Sequence, residues 1–205
     1  MAFRTPFISA SIALFFVVAL TLLGGAYYPD YSHLSQFISE LGARQAPHEQ
    51  FVRWVGFLPA GVLVLVFVIV AFKALPRSAL TTLGLLGIGA YALGYVAAAF
   101  YPCDPGCRPA EPSTSQVIHN IVGLTGYLLA PLSLAALAWS ARDWPDGGSL
   151  AAAGFVAAIL TLLGLLLLSP ESHYVGLSQR ILELSVLVWI VMCGWYIMAR
   201  LPNAA

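Results

Sequence analysis

The sequence predicts an all-α fold: a six-helix bundle embedded in a membrane, with a short interfacial amphipathic helix between the first and second spans. Three observations carry that expectation. Hydrophobic residues make up 60% of the 205-residue chain and charged residues only 9%, against roughly a quarter charged in soluble domains. The mean hydropathy is +0.87. The apolar residues fall into six separate stretches, each near the ~20 residues a helix needs to cross the hydrocarbon core. Nine Lys and Arg balance nine Asp and Glu, so no broad basic surface exists and nucleic-acid binding is set aside.

The spans are expected at about 6–27, 51–74, 79–101, 116–139, 149–169 and 178–200. No linker, low-complexity tract or internal repeat divides them, so residues 1–205 read as one polytopic membrane domain. Arg4, a long apolar run and Gly24-Gly25-Ala26 superficially resemble a signal peptide. The run is longer than a signal core, and Tyr27-Tyr28 suit an interfacial aromatic belt, so the first span reads as an uncleaved helix.

Between the first two spans, Leu34, Phe37, Ile38 and Leu41 recur at helical spacing, and the segment reads as an amphipathic helix started by Asp30 or Ser32 and ended by Gly42. Its more polar face carries His33, Gln36 and Glu40. Such a helix either plugs the bundle mouth or forms a functional lid. Gly84, Gly87 and Gly94 on the third span, with Gly123 and Gly126 on the fourth, offer small-residue faces for close packing or, less often, a lipid-sized groove. Cys103 and Cys107 flank a compact turn and could close a small disulfide in an oxidising compartment; Cys193 reads as a packing residue.

Polar chemistry is asymmetric. With six spans, both termini share a side with the 73–78 turn and the 140–148 loop. That side carries Arg4, Lys73, Arg77, Arg142 and Arg200; the far side carries Arg44, Arg53, Arg108 and Arg180, of which Arg53 and Arg180 fall inside helices. The positive-inside rule then places both termini in the cytoplasm. Seven of the nine acids and all four histidines lie toward the far side. Loop length cannot explain Arg53, His119, Arg180 and Glu183, which sit one or two turns inside spans, where an unpaired charge costs a few kcal/mol. They are candidates for one cluster.

The fourth span opens with Ser115 and His119 on one face and Asn120 beside them. The sixth opens with Ser178, a candidate cap, then Gln179, Arg180 and Glu183 in one sector. The bland alternative is an intrahelical Arg180–Glu183 pair, with Arg180 snorkelling outward.

These residues define the candidate site. His119, Glu183 and Glu40 would do acid–base chemistry on an ester or amide. Arg180 would hold a phosphate or carboxylate, and Gln179, Ser39, Asp104, Asn120 and Arg53 would line the pocket. A metal set of His33, His119, His173 and a carboxylate has the right ingredients but no local ligand spacing.

The strings Ile38-Ser39-Glu40-Leu41-Gly42, Tyr101-Pro102-Cys103-Asp104, His119-Asn120 and Gly176-Leu177-Ser178-Gln179-Arg180, in that order, resemble a family of prokaryotic six-span membrane proteins, domain of unknown function 998. The resemblance implies a prokaryotic inner membrane. More distantly, the Ile38–Gly42 segment with a later helical histidine is similar to the Frag/DRAM/Sfk group, whose members are associated with lipid and glycolipid-anchor handling. Where the first family has Ser-Asp-Leu-Gly, this chain has Ser39-Glu40-Leu41-Gly42, which keeps the charge and lengthens its reach.

The functional expectation is a polar pocket at the extracytoplasmic end that binds or modifies a membrane lipid or amphiphile. A structural or assembly subunit is the alternative. Transport has less support, because no ionisable residue is predicted at mid-membrane. Whether the protein is an enzyme, its cofactor and its oligomeric state stay open at this level.

Overall fold

A computed structural model describes residues 3–200. Six helices are long and apolar enough to cross a membrane: α1 Thr5–Ala26, α2 Glu49–Ala74, α3 Ala79–Phe100, α4 Thr114–Ala141, α5 Gly148–Leu166 and α6 Val175–Arg200. The described residues contain no strand, and the chain is an integral membrane protein of six helices. Each helix packs on its chain neighbours, and α1 packs on α6, so the bundle closes into a ring. Across that ring α4 and α6 hardly touch, which leaves room between them for a cavity.

Local chemistry sets the helix ends. Ser78 caps α3 by accepting from the Thr81 N–H at 3.0 Å, and Ser113 caps α4 by accepting from the Gln116 N–H at 3.2 Å. Ser178 does not cap α6 as expected. That helix starts a turn earlier, and the Ser178 hydroxyl donates to the Tyr174 carbonyl at 2.9 Å. Within α2, residues Val52–Phe57 form a π-helical stretch, a widened turn often found beside functional sites.

The segment between α1 and α2 departs from the expected amphipathic helix. A turn at 33–35 is followed by a 3-10 helix, Ile38–Gly42, and the chain is extended at Phe37. The reason is competition for the backbone. Side chains take the groups a helix would have used: Glu40 Oε1 accepts from the Phe37 N–H at 2.9 Å, Gln179 Oε1 from the Ile38 N–H at 2.6 Å, and Tyr31 donates to the Phe37 carbonyl at 2.8 Å. Ile38, Glu40 and Leu41 are consequently buried inside the mouth of the bundle, and Glu40 does not lie on a polar outer face.

The α3–α4 connection completes this cap. A disulfide joins Cys103 to Cys107, and Cys193 is a buried free thiol. The Asp104 carboxylate accepts from the Ser113 N–H at 2.8 Å and the Ser113 hydroxyl at 2.7 Å, with an Arg44 nitrogen at 3.5 Å. The Arg44 N–H donates to the Cys103 carbonyl at 2.9 Å, which stitches the two connections together.

The glycines of α3 and α4 divide into two kinds. A Cβ on Gly126 would lie 2.8 Å from Tyr91 Cα and 3.1 Å from the Ala90 carbonyl oxygen, and one on Gly84 would lie 3.0 Å from the Ser133 carbonyl oxygen. Those positions hold the two backbones together. A Cβ on Gly123 meets nothing within 4 Å.

Gly126→Ala is therefore expected to destabilise the bundle by about 1–3 kcal/mol through overpacking. Gly123→Ala should be neutral or slightly stabilising, and thermal unfolding of the two variants in micelles checks the contrast. A second expectation concerns acid. The Ser113 donors, aided by Arg44, hold the Asp104 carboxyl below the usual carboxylate range. Its contribution is thus complete above the unfolded value of about 4 and lost as pH falls through the lower folded value. Between about pH 5 and 2 the wild type should lose thermal stability more steeply than Asp104→Asn, and parallel acid limbs would contradict this assignment.

Candidate functional site

The space between α3, α4 and α6 is a cavity of about 350 Å³, roofed by residues 37–39. Its chemistry centres on Glu183, which lies eight residues into α6, roughly 12 Å along the helix axis. The residue is only 3% exposed. A carboxyl group at that depth needs polar partners, because the hydrocarbon of the bilayer offers none.

Three tyrosines supply them. The Tyr91 and Tyr95 hydroxyls, one turn apart on α3, both donate to Glu183 Oε2, the latter at 2.6 Å. From α4, the Tyr127 hydroxyl donates to Oε1 at 2.5 Å. Gln179, one turn before Glu183, donates to the Tyr127 oxygen at 2.7 Å while its own carbonyl accepts from the Ile38 N–H. One continuous chain of hydrogen bonds therefore runs from the roof through Gln179 and Tyr127 to the carboxylate. Pro131 also bears on this wall: lacking an N–H, it leaves the Tyr127 carbonyl without its helical donor one turn back.

The residues singled out from sequence separate into two groups. Ser39, His119, Asn120, Gln179 and Glu183 line the cavity. Glu40, Asp104, Arg180 and Arg53 do not, and three of these four are engaged in building the mouth. The Glu40 carboxylate accepts from the Gln36 side chain at 2.9 Å and has Arg108 at 3.8 Å. Asp104, besides the Ser113 bonds, donates its backbone N–H to Gln116 Oε1 at 2.8 Å. Gln116 in turn donates to Asn120 Oδ1 at 2.8 Å.

Arg180 makes no pair with Glu183 and does not snorkel. Its Nη1 donates to the carbonyls of Gln36 and Gly176, at 3.0 and 2.8 Å, and its Nη2 donates to the Tyr31 hydroxyl at 2.7 Å and to His33 Nδ1 at 3.0 Å. Because a guanidinium only donates, His33 Nδ1 must accept and carries no proton. Burial, with the arginine charge second, holds the His33 pKa down. Burial also pushes Tyr31 up to about 12, against the opposing pull of Arg180. The arginine is a strap between α6 and the roof.

Arg53 donates through Nε to the Ala99 carbonyl at 2.8 Å and faces a separate cleft with Arg44 and Glu49. His119 Nδ1 lies 3.0 Å from the Tyr101 carbonyl. A carbonyl only accepts, so Nδ1 carries a proton, and in the neutral imidazole Nε2 is then the acceptor. No carboxylate bonds to this imidazole among the described residues. Nor do three His, Cys, Asp or Glu converge among the described residues, so His33, His119 and His173 do not form the metal set their types allowed.

Sequence reasoning missed Tyr91, Tyr95 and Tyr127, together with the Phe37 and Phe57 rings that complete the lining. A signal was present. Tyr91 and Tyr95 are four residues apart deep in a predicted span, and a buried phenol requires a hydrogen-bond partner. On one flank the wall is open: Asn120 and Leu124 on α4 and Pro170 after α5 line the cavity and are themselves exposed.

Searches of curated proteins and of solved structures find no match. The sequence model of the family described as protein of unknown function (DUF998) matches residues 10–196, and the chain, a polytopic membrane protein, belongs to that family.

Proposed function

We propose that the protein binds a membrane lipid or amphiphile in the Glu183 cavity, with the cavity at the extracytoplasmic end of the bundle and both termini in the cytoplasm of a prokaryotic cell. One observation carries this reading. The cavity opens sideways, past Asn120, Leu124 and Pro170, on a flank of the ring where α4 and the end of α5 face outward. On this reading the flank faces lipid, and a ligand would enter from the bilayer. The volume of about 350 Å³ suits a headgroup and the first part of a chain, and the wall combines apolar residues with the few polar groups that such sites use for orientation.

Binding has more support than hydrolysis. His119 is tied to a backbone carbonyl and not to an acid, and Glu183 is held by three hydroxyls. A second reading also has an observation behind it: the same hydroxyls join α3 and α4 to α6, as a purely structural cluster would.

Gly123 separates the two, because it borders the cavity without touching the tyrosine network and has open space where a side chain would begin. Gly123→Leu should fill the mouth of the cavity and gain roughly 1 kcal/mol of helix propensity. In native mass spectrometry of protein purified in mild detergent, lipid that accompanies the wild type should be lost from Gly123→Leu, with thermal stability kept or raised. Undiminished lipid in that variant would leave the structural reading in possession.

A further inference from the structure

We propose that the ligand of this cavity carries a cationic nitrogen, an amine or quaternary ammonium headgroup, with Glu183 as its counter-ion. The inference rests on the lipid-binding reading and specifies the headgroup. Three acids are buried in the described structure: Glu40, Asp104 and Glu183. Two have an arginine beside them, Arg108 at 3.8 Å from Glu40 and Arg44 at 3.5 Å from Asp104. Glu183, the one placed inside a spanning helix, has no cation within 4.0 Å among the described residues. Charges at such depth are ordinarily paired. The missing positive charge is the part a ligand would supply.

The lining fits that charge. Tyr91, Tyr95, Tyr127, Phe57 and Phe37 present aromatic rings around the cavity, and the negative faces of such rings attract ammonium groups most strongly when water is excluded. No Lys or Arg is among the lining residues and the one lining histidine, His119, is tied through Nδ1 to the Tyr101 carbonyl, so an anionic headgroup would meet a carboxylate with no permanent cation beside it. An acceptor position is also free. Glu183 Oε2 receives two hydroxyls, whereas Oε1 receives only that of Tyr127, and each carboxylate oxygen can accept two bonds. Arg180, the residue the sequence suggested for an anion, is committed to the roof.

The test is calorimetric titration of the full-length protein in maltoside micelles, corrected for partitioning into empty micelles. The probes are dodecyltrimethylammonium, dodecanol, dodecanoate and, as the free headgroup, tetramethylammonium. The ammonium amphiphile should bind at least roughly tenfold tighter than dodecanol, and dodecanoate more weakly than either. Tetramethylammonium should bind weakly; affinity equal to that of its dodecyl form would contradict a lipid source for the nitrogen. Glu183→Gln should erase the advantage of the ammonium over dodecanol. Tyr127→Phe, which keeps the charge, should retain the preference. If Glu183→Gln does not fold, the wild-type order of the probes decides. Dodecanol or dodecanoate binding as tightly as the ammonium would overturn the headgroup assignment alone, whereas failure of every dodecyl probe to bind would overturn the lipid reading with it.

Discussion

A single acid inside a transmembrane helix constrains this half of the molecule. No cationic side chain lies within 4.0 Å of Glu183 among the described residues, and its oxygens need protein hydroxyls as donors. Tyr91 and Tyr95 from α3 and Tyr127 from α4 supply them. The requirement fixes how those helices face α6. Gly126 permits it, since any side chain there would push the α4 backbone away from Tyr91. Through Gln179 the same network reaches Ile38 and pins the roof, so packing, loop conformation and pocket shape are tied to one buried acid.

The other ionisable groups at this end have a different task. Glu40 and Asp104 are buried acids with arginines and backbone donors at hand, and Arg180 is spent on carbonyls and a phenol. Removing one partner from such an arrangement leaves a buried charge unmet, which is far more damaging than the net worth of the pair suggests. These residues shape the mouth of the cavity without entering it. Their burial also explains why a cap with so little regular structure can be well defined: side chains, rather than a helical ladder, satisfy its backbone.

Much of the architecture was legible because hydropathy over a span is a strong signal; helix ends fall within three residues of those expected. The depth of Glu183 and its neighbour Gln179 was readable for the same reason. The 32–42 segment misled because Leu34, Phe37, Ile38 and Leu41 have helical spacing, yet partners far away in sequence, Gln179 and Arg180, claimed its backbone. The tyrosines carry no formal charge, so a reading built on ionisable residues inside the spans passed over them. Which of them meets Glu183 depends on the order of helices around the ring, and spacing along one helix carries no such information. The glycines were ambiguous for a similar reason: Gly126 packs and Gly123 borders empty space, a distinction made only by what stands opposite.

The central claim is that Glu183 is a charged carboxylate held by three phenolic donors. Infrared difference spectroscopy reads this directly, comparing protein carrying isotope-labelled glutamate with Glu183→Gln prepared the same way, both at neutral pH. The account predicts that the substitution removes a carboxylate stretch shifted by strong hydrogen bonding, with a matching change in the tyrosine ring bands. Loss of a protonated-acid carbonyl stretch, with tyrosine bands unchanged, would contradict it.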